Sequence, residues 1–141
     1  MSGRLQYGFR YRYPHMTEEE SIIWERFLDR FPARYETVDY DFRVGIGATI
    51  PAGATESHAR MITMLSQKRI DALCWIGGQP TIVEVKRRVG LGTVGQVMGY
   101  RTLFKVDLPF ISEPKVFVVC ETISDDDRKV LEAAGIPFDV V

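Results

Sequence analysis

Arg69-Ile70-Asp71-Ala72-Leu73-Cys74-Trp75-Ile76-Gly77-Gly78-Gln79-Pro80-Thr81-Ile82-Val83-Glu84-Val85-Lys86 decides how this chain folds. It reads as two apolar strands joined by a Gly-Gly turn and interrupted by Asp71, Glu84 and Lys86. A carboxylate in an apolar strand needs a partner, because burying its charge alone is costly. Two carboxylates and a lysine brought together by one turn have the donor chemistry of a site for a hard metal ion.

The turn sets which residues meet. Gly77-Gly78 suits a two-residue primed turn, whose central residues need positive φ. That register sets Ile76 opposite Gln79 and Asp71 opposite Glu84. A loop from Gly77 to Pro80 instead sets Asp71 opposite Lys86. Both registers keep the three charged residues on one face, since side chains alternate with period two. A three-residue loop would scatter them. Pro80 speaks against the shorter register, because a proline inside a ladder lacks a donor.

Around this hairpin the composition is that of an ordinary globular chain. The 141 residues are 45% hydrophobic, enough for a real core in a single domain spanning 1–141. With 18 basic and 19 acidic residues, the net charge does not by itself attract nucleic acid. Locally, Lys68, Arg69, Lys86, Arg87, Arg88, Arg101 and Lys105 surround the hairpin and the segment after it. They form either a phosphate-facing patch or an ordinary solvated face. No apolar run has the length to span a bilayer, and residues 1–15 lack the apolar core of a signal peptide, so a cytoplasmic location with no membrane partner is the expectation. Cys74 and Cys120 sit in apolar runs and read as small core residues. Two histidines, His15 and His58, supply a zinc or histidine-centred site poorly. The absence of a Gly-Lys-Ser/Thr loop argues against a nucleotide cofactor.

The rest of the chain supplies the layers. Residues 1–15 alternate arginine with aromatic rings, as an arm lying on nucleic acid would, or as an added edge strand or dimer contact. Thr17-Glu18-Glu19-Glu20 reads as a capping box opening a helix whose apolar face is Ile23, Trp24, Phe27, Leu28 and Phe31, and Pro32 ends it. Residues 35–44 alternate as a strand. Residues 45–66 are expected to be a mobile loop, with 59–66 ambiguous between strand and helix. A helix over 93–104, a strand over 115–120, a helix over 124–134 and a strand over 138–141 follow. Strand 81–86, helix 93–104 and strand 115–120 form a crossover unit, so those strands are expected to be parallel and the sheet mixed.

Asp71, then Glu84-Val85-Lys86 on the next strand, then a helix, resembles the PD-(D/E)XK nuclease superfamily with its restriction-endonuclease-like core. Gln96-Val97-Met98-Gly99-Tyr100 resembles the Gln-x-x-x-Tyr motif of the recombination helicase-nuclease and phage exonuclease group. Ile70 departs from the pattern, which has proline there. The resemblance implies an α/β fold with a mixed central sheet flanked by helices, and a metal-dependent DNA nuclease. Asp71 and Glu84, with the Val85 carbonyl, would hold Mg²⁺, for which Mn²⁺ would substitute. Lys86 would orient water or stabilise charge, and Arg87, Arg88 and Arg101 would face phosphates. Gln96 and Tyr100 would border the site and contact DNA or the attacking water, although Thr93-x-x-Gln96 also reads as a capping box. The acid contributed by the first helix is expected to be Glu20, which shares its face with Ile23, Trp24 and Phe27, and which would complete a second metal site, the cap, or both. A homodimer, with sequence or structure specificity drawn from residues 45–66, the arm or a partner, is compatible with this reading. So are a silent nuclease-fold binding or assembly protein, and an RNA-processing enzyme.

Overall fold

A computed structural model describes all of residues 1–141. In chain order the elements are β1 (Leu5–Gln6), α1 (Glu18–Arg30), β2 (Thr37–Val44), α2 (Glu56–Ser66), β3 (Lys68–Ile76), β4 (Gln79–Arg88), α3 (Leu91–Asp107), β5 (Lys115–Thr122), α4 (Asp125–Ala133) and β6 (Phe138–Val140). The six strands form one sheet in the order β1-β2-β3-β4-β5-β6. It is antiparallel from β1 to β4 and parallel from β4 to β6. The expected mixed α/β architecture is the one observed, and α3 carries the crossover between the parallel strands β4 and β5.

Two apolar layers follow from the period-two pattern. Cys74, Val83 and Val85 turn toward α1, where Ile23, Trp24, Phe27 and Leu28 cover them. Leu73, Trp75 and Ile82 turn the other way, toward Val97, Tyr100 and Phe104 of α3 and Leu131 of α4. Both cysteines are buried and free. The α1 cap forms as read: Thr17 Oγ1 accepts from Glu20 N (3.1 Å), and Glu20 Oε1 accepts from Thr17 N (2.9 Å).

The hairpin takes the shorter register. Ile76 pairs with Gln79 and Ala72 with Val83, across Gly77 (φ 55°) and Gly78 (φ 77°). Pro80 is tolerated because it sits opposite Trp75, a pair whose backbone groups point away from one another. Trp75 uses its carbonyl toward β2, accepting from Glu36 N at 2.8 Å. On its other side Pro80 precedes the first β4–β5 pair, Thr81 with Lys115, so no ladder bond misses its donor.

Two expectations are corrected. The loop ends at residue 55: Thr55 caps α2 by accepting from His58 N, and 56–66 is helical. The second long helix starts two residues early and runs to Asp107, with Gly90 at its cap. Thr93 therefore sits inside the first turn and accepts from Gly90 N at 3.2 Å, so Thr93 and Gln96 do not form a cap together. Of the alternatives for residues 1–15, the added edge strand is present as β1, and its neighbours Tyr7 and Tyr13 pack into the α1 layer.

The turn glycines carry the register, which sets the site. Replacing Gly77 by alanine should destabilise the protein by about 1 kcal/mol, because an alanine is strained at positive φ. Asparagine tolerates that conformation, so Gly77→Asn should lose less, and urea denaturation of the two variants measures the difference.

Candidate active site

The sheet changes character at Asp71. The β3–β4 ladder stops at Ala72–Val83, so Lys68–Ile70 pair only with β2, Asp71 pairs with neither neighbour, and Glu84–Lys86 and Arg88 pair only with β5. On the other side, the β2–β3 ladder passes from Tyr40–Ala72 to Phe42–Ile70. Between them Asp41 has φ 53°, one of two positive values outside glycine. Side chains exchange layers there: Val38 and Tyr40 pack toward α1, while Phe42, Val44 and Ile70 pack toward α3. Where β3 and β4 part, the Asp71 carboxylate fills the gap and accepts from Val85 N at 2.9 Å.

Asp71 and Glu84 are each only 4% exposed. They approach closely enough for each to perturb the other. Glu84 Oε1 lies 3.6 Å from Lys86 Nζ, and Glu84 Oε2 is buried with no hydrogen-bond partner. Burial, then the charge of Asp71, push the Glu84 carboxyl well above the usual carboxylate range, and Lys86 opposes them only in part. Burial raises Asp71 as well, with Glu20 adding to the rise, while the Val85 N–H and His15 act against it. Ionised together, the two acids would carry more negative charge in a low-dielectric setting than one lysine neutralises, so the pair holds a proton in the absence of a further cation. A divalent cation fits this donor set, which is two hard carboxylates and one unsatisfied oxygen.

Helix α3 closes one side. Burial, then the charges of Glu84 and Asp71, push the Tyr100 hydroxyl up to about 12, with contact from Gln96 acting against them. Gln96 and Tyr100, one turn apart, line a cavity of about 400 Å³ with Lys68, Gly92, Gly95, Gly99 and Leu103. The structure thus brings Asp71, Glu84, Lys86, Gln96 and Tyr100 to one place. Val85 offers only its backbone there, because its side chain is in the α1 layer.

Other sequence candidates go elsewhere. Glu20 reaches Asp71 only through its charge; its carboxylate caps α1, and no third acidic, histidine or cysteine side chain joins the buried pair at ligating range. Arg87 alternates to the α1 side, where it approaches Glu19 (3.8 Å) and Glu121 (3.9 Å). Arg101 leans on Glu113 (3.9 Å), beside Pro114 and Lys115 at the hairpin end of β5, away from Asp71. Arg88 shares the parity of Glu84 and Lys86 and makes no ion pair, which leaves it the free cation on that strand. Sequence reading gave His15 and Asp41 no place at this site, and named Lys68 only within the basic patch. Asp41 holds Arg69 in a two-bond clasp (2.6 and 2.7 Å), and only the pairing of β2 with β3, in which Arg69 lies opposite Arg43, brings them together. For His15, its place before the Thr17 cap was the available signal.

No family model matches the chain, and no curated protein does. Among solved structures, a repair endonuclease from Pyrococcus abyssi superposes with a TM-score of 0.50 at 17% identity, over 95% of this chain and 49% of that one. The EndoMS complex with double-stranded DNA does so with a TM-score of 0.50 at 16% identity, over 95% and 48%. The chain spans about half the length of these structures, and the likeness is one of fold.

The raised carboxyls fix the sign of a pH effect. Between the ordinary glutamate range and the raised value, the folded protein keeps a proton that the unfolded chain has released. Stability from Glu84 is therefore full at low pH and lost as pH rises through that window. Glu84→Gln should flatten this fall, and urea midpoints from pH 5.5 to about 8.5 should diverge in the variant's favour as pH rises. Parallel curves would show that Glu84 is ordinary.

Proposed function

We propose that this chain is a metal-dependent DNA nuclease of the PD-(D/E)XK kind, hydrolysing phosphodiester bonds. The observation that carries the reading is the buried Asp71–Glu84 pair, with one glutamate oxygen unpartnered, beside Lys86 where two strands part. A purely structural ion-pair cluster would satisfy both acids; this one leaves a buried glutamate oxygen without a partner and both carboxyls raised, as functional sites do. Asp71 and Glu84, with the Val85 carbonyl, would hold Mg²⁺ or Mn²⁺. When bound, the ion supplies Lewis-acid polarisation of the phosphoryl group and of the attacking water.

The chain's own side chains do the rest. The Lys86 side chain, a quarter exposed, would bring positive charge to where the transition state gains negative charge. Tyr100 keeps its proton across the working range and so remains a hydrogen-bond donor at the rim. Gln96, beside it, has the amide needed to orient a water or a phosphate oxygen. Arg88 is placed for a flanking phosphate, whereas Arg87 and Arg101 are already engaged with acids. Glu20 acts through its charge on Asp71. DNA as the substrate draws support from the two similar folds, a repair endonuclease and a protein bound to double-stranded DNA.

Labelled linear duplex, nicked duplex, single strand and four-way junction, incubated with Mg²⁺, Mn²⁺ or EDTA, test the reading. Cutting should need the metal and vanish in Asp71→Ala. Lys86→Ala should lower turnover by roughly 10²- to 10³-fold, the cost of one transition-state donor, with DNA affinity little changed. A folded protein that binds DNA but cuts nothing with either metal would overturn the assignment.

Mg²⁺ should also raise the melting temperature, more at high pH than at low, because binding must displace the proton held by the acid pair. Asp71→Ala should abolish that rise, and calorimetry with and without Mg²⁺ measures it.

A further inference from the structure

The proposed chemistry leaves the first seventeen residues without a role, yet they are built to present something. They contain Arg4, Arg10 and Arg12 and no acidic residue. None of these three arginines has an ion-pair partner, whereas Arg26, Arg34, Arg43 and Arg69 each do. Between them Tyr11 is fully exposed (103%) and Phe9 is 61% exposed. Exposed rings at a mobile terminus would be unremarkable, but this segment is pinned. Tyr13 is buried; its hydroxyl accepts from Arg10 N at 2.9 Å and donates to Glu25 Oε2 at 3.1 Å. Tyr7 donates to the Phe31 carbonyl at 2.9 Å. The rings are thus held out on fixed backbone, uncovered by any part of the chain.

The segment also lies beside the acid pair. The Tyr13 ring meets Tyr40 edge-on at 5.4 Å, and Tyr40 pairs across the ladder with Ala72, the neighbour of Asp71. His15, with φ 70°, turns the chain from this segment into α1, close enough for its charge to act on Asp71.

We propose that Phe9–Arg12 is a docking edge for an unpaired DNA strand that leads into the Asp71–Glu84 site, so that the preferred substrate carries a single-stranded segment. This rests on the nuclease reading above. Flat exposed rings offer stacking surface to bases whose faces are free, which duplex bases do not have. Alternating arginines supply phosphate contacts between the rings. The same charge disfavours a second copy of this chain as occupant: a two-fold contact through this edge would set Arg10 and Arg12 against their own equivalents.

Fluorescence anisotropy of the full chain in EDTA, with a labelled single-stranded oligodeoxynucleotide and the same sequence as a blunt duplex, tests this without requiring cleavage. Tyr11 makes no contact that folding needs, so Tyr11→Ala should fold normally. It should weaken single-strand binding by about 5- to 150-fold, the range for loss of one stacked base, and leave the duplex unaffected. Tyr11→Phe should restore binding. Replacing Arg10 and Arg12 together by alanine should reduce the slope of log K against log salt by roughly 1.4, two single-strand phosphate contacts. Equal loss on both DNAs, no loss on either, or a sedimentation change in Tyr11→Ala that reveals a lost dimer would each overturn the proposal. Cleavage with Mg²⁺ is read separately. Cutting without strand preference overturns this inference and leaves the nuclease standing. Strand-selective binding without cutting overturns the nuclease and keeps the edge.

Discussion

The hydrogen bond from Val85 N to the Asp71 carboxylate is the constraint on which the site depends. Up to Ala72–Val83 the two strands satisfy one another through backbone pairs. Beyond that point β3 belongs to β2 and β4 belongs to β5, and the amide facing the gap would be an orphan. Asp71 supplies the missing acceptor from a side chain. A carboxylate can therefore be buried in an otherwise apolar strand, and the gap that accommodates it is also where Glu84 meets it. Any side chain unable to accept at that position would lose the bond and the site together.

That gap persists because the surroundings are over-determined. On one side Trp24 stacks on Phe27, and Phe27 packs against Phe117, with Arg34 over the Phe117 ring at 4.4 Å. On the other, Phe104 and Val97 of α3 press on Ile82 and Leu73. Both layers are made of large side chains with almost no exposure, each contributing about 1.5–3 kcal/mol on burial. Against them stand the positive φ of Asp41, the layer exchange beside it and two crowded acids. These costs gather at one end of β3 and β4, as strain commonly does at functional sites.

How much of this was legible depended on whether a residue's role is local. Gly77-Gly78 fixed register through backbone conformation alone, and alternation then carried Asp71, Glu84 and Lys86 to one face. The Thr17–Glu20 cap is equally local, so the start of α1 was readable to the residue. Helix α2 was not: its apolar residues Met61, Met64 and Leu65 stand at helical spacing but stay exposed, so no packing partner marks the stripe as a helix face, and Thr55 betrays its start. Arg87 and Arg101 lie near acids far away in sequence, Glu19, Glu121 and Glu113, and no local reading could supply those neighbours. The same period-two rule that gathered the triad could have separated Arg87 from Arg88, since adjacent strand residues face opposite layers. The exchange of layers at Asp41 leaves no pattern in composition, because it arises from one residue's φ.

The two acids are not equivalent, and the asymmetry follows from their partners. Asp71 accepts a backbone N–H, which favours its charged form. Glu84 has Lys86 at 3.6 Å, beyond hydrogen-bonding range, and an oxygen with nothing to accept from. A proton on the pair therefore sits preferentially on Glu84. Lys86 is kept from neutralising Glu84 fully by that same distance, and its side chain stays a quarter exposed. A tighter Lys86–Glu84 bridge would make a more stable hairpin and a closed one, with no unsatisfied oxygen and no free positive charge. The looser arrangement keeps acceptor capacity and cationic charge within one side chain of each other, and that is the chemical content of the site.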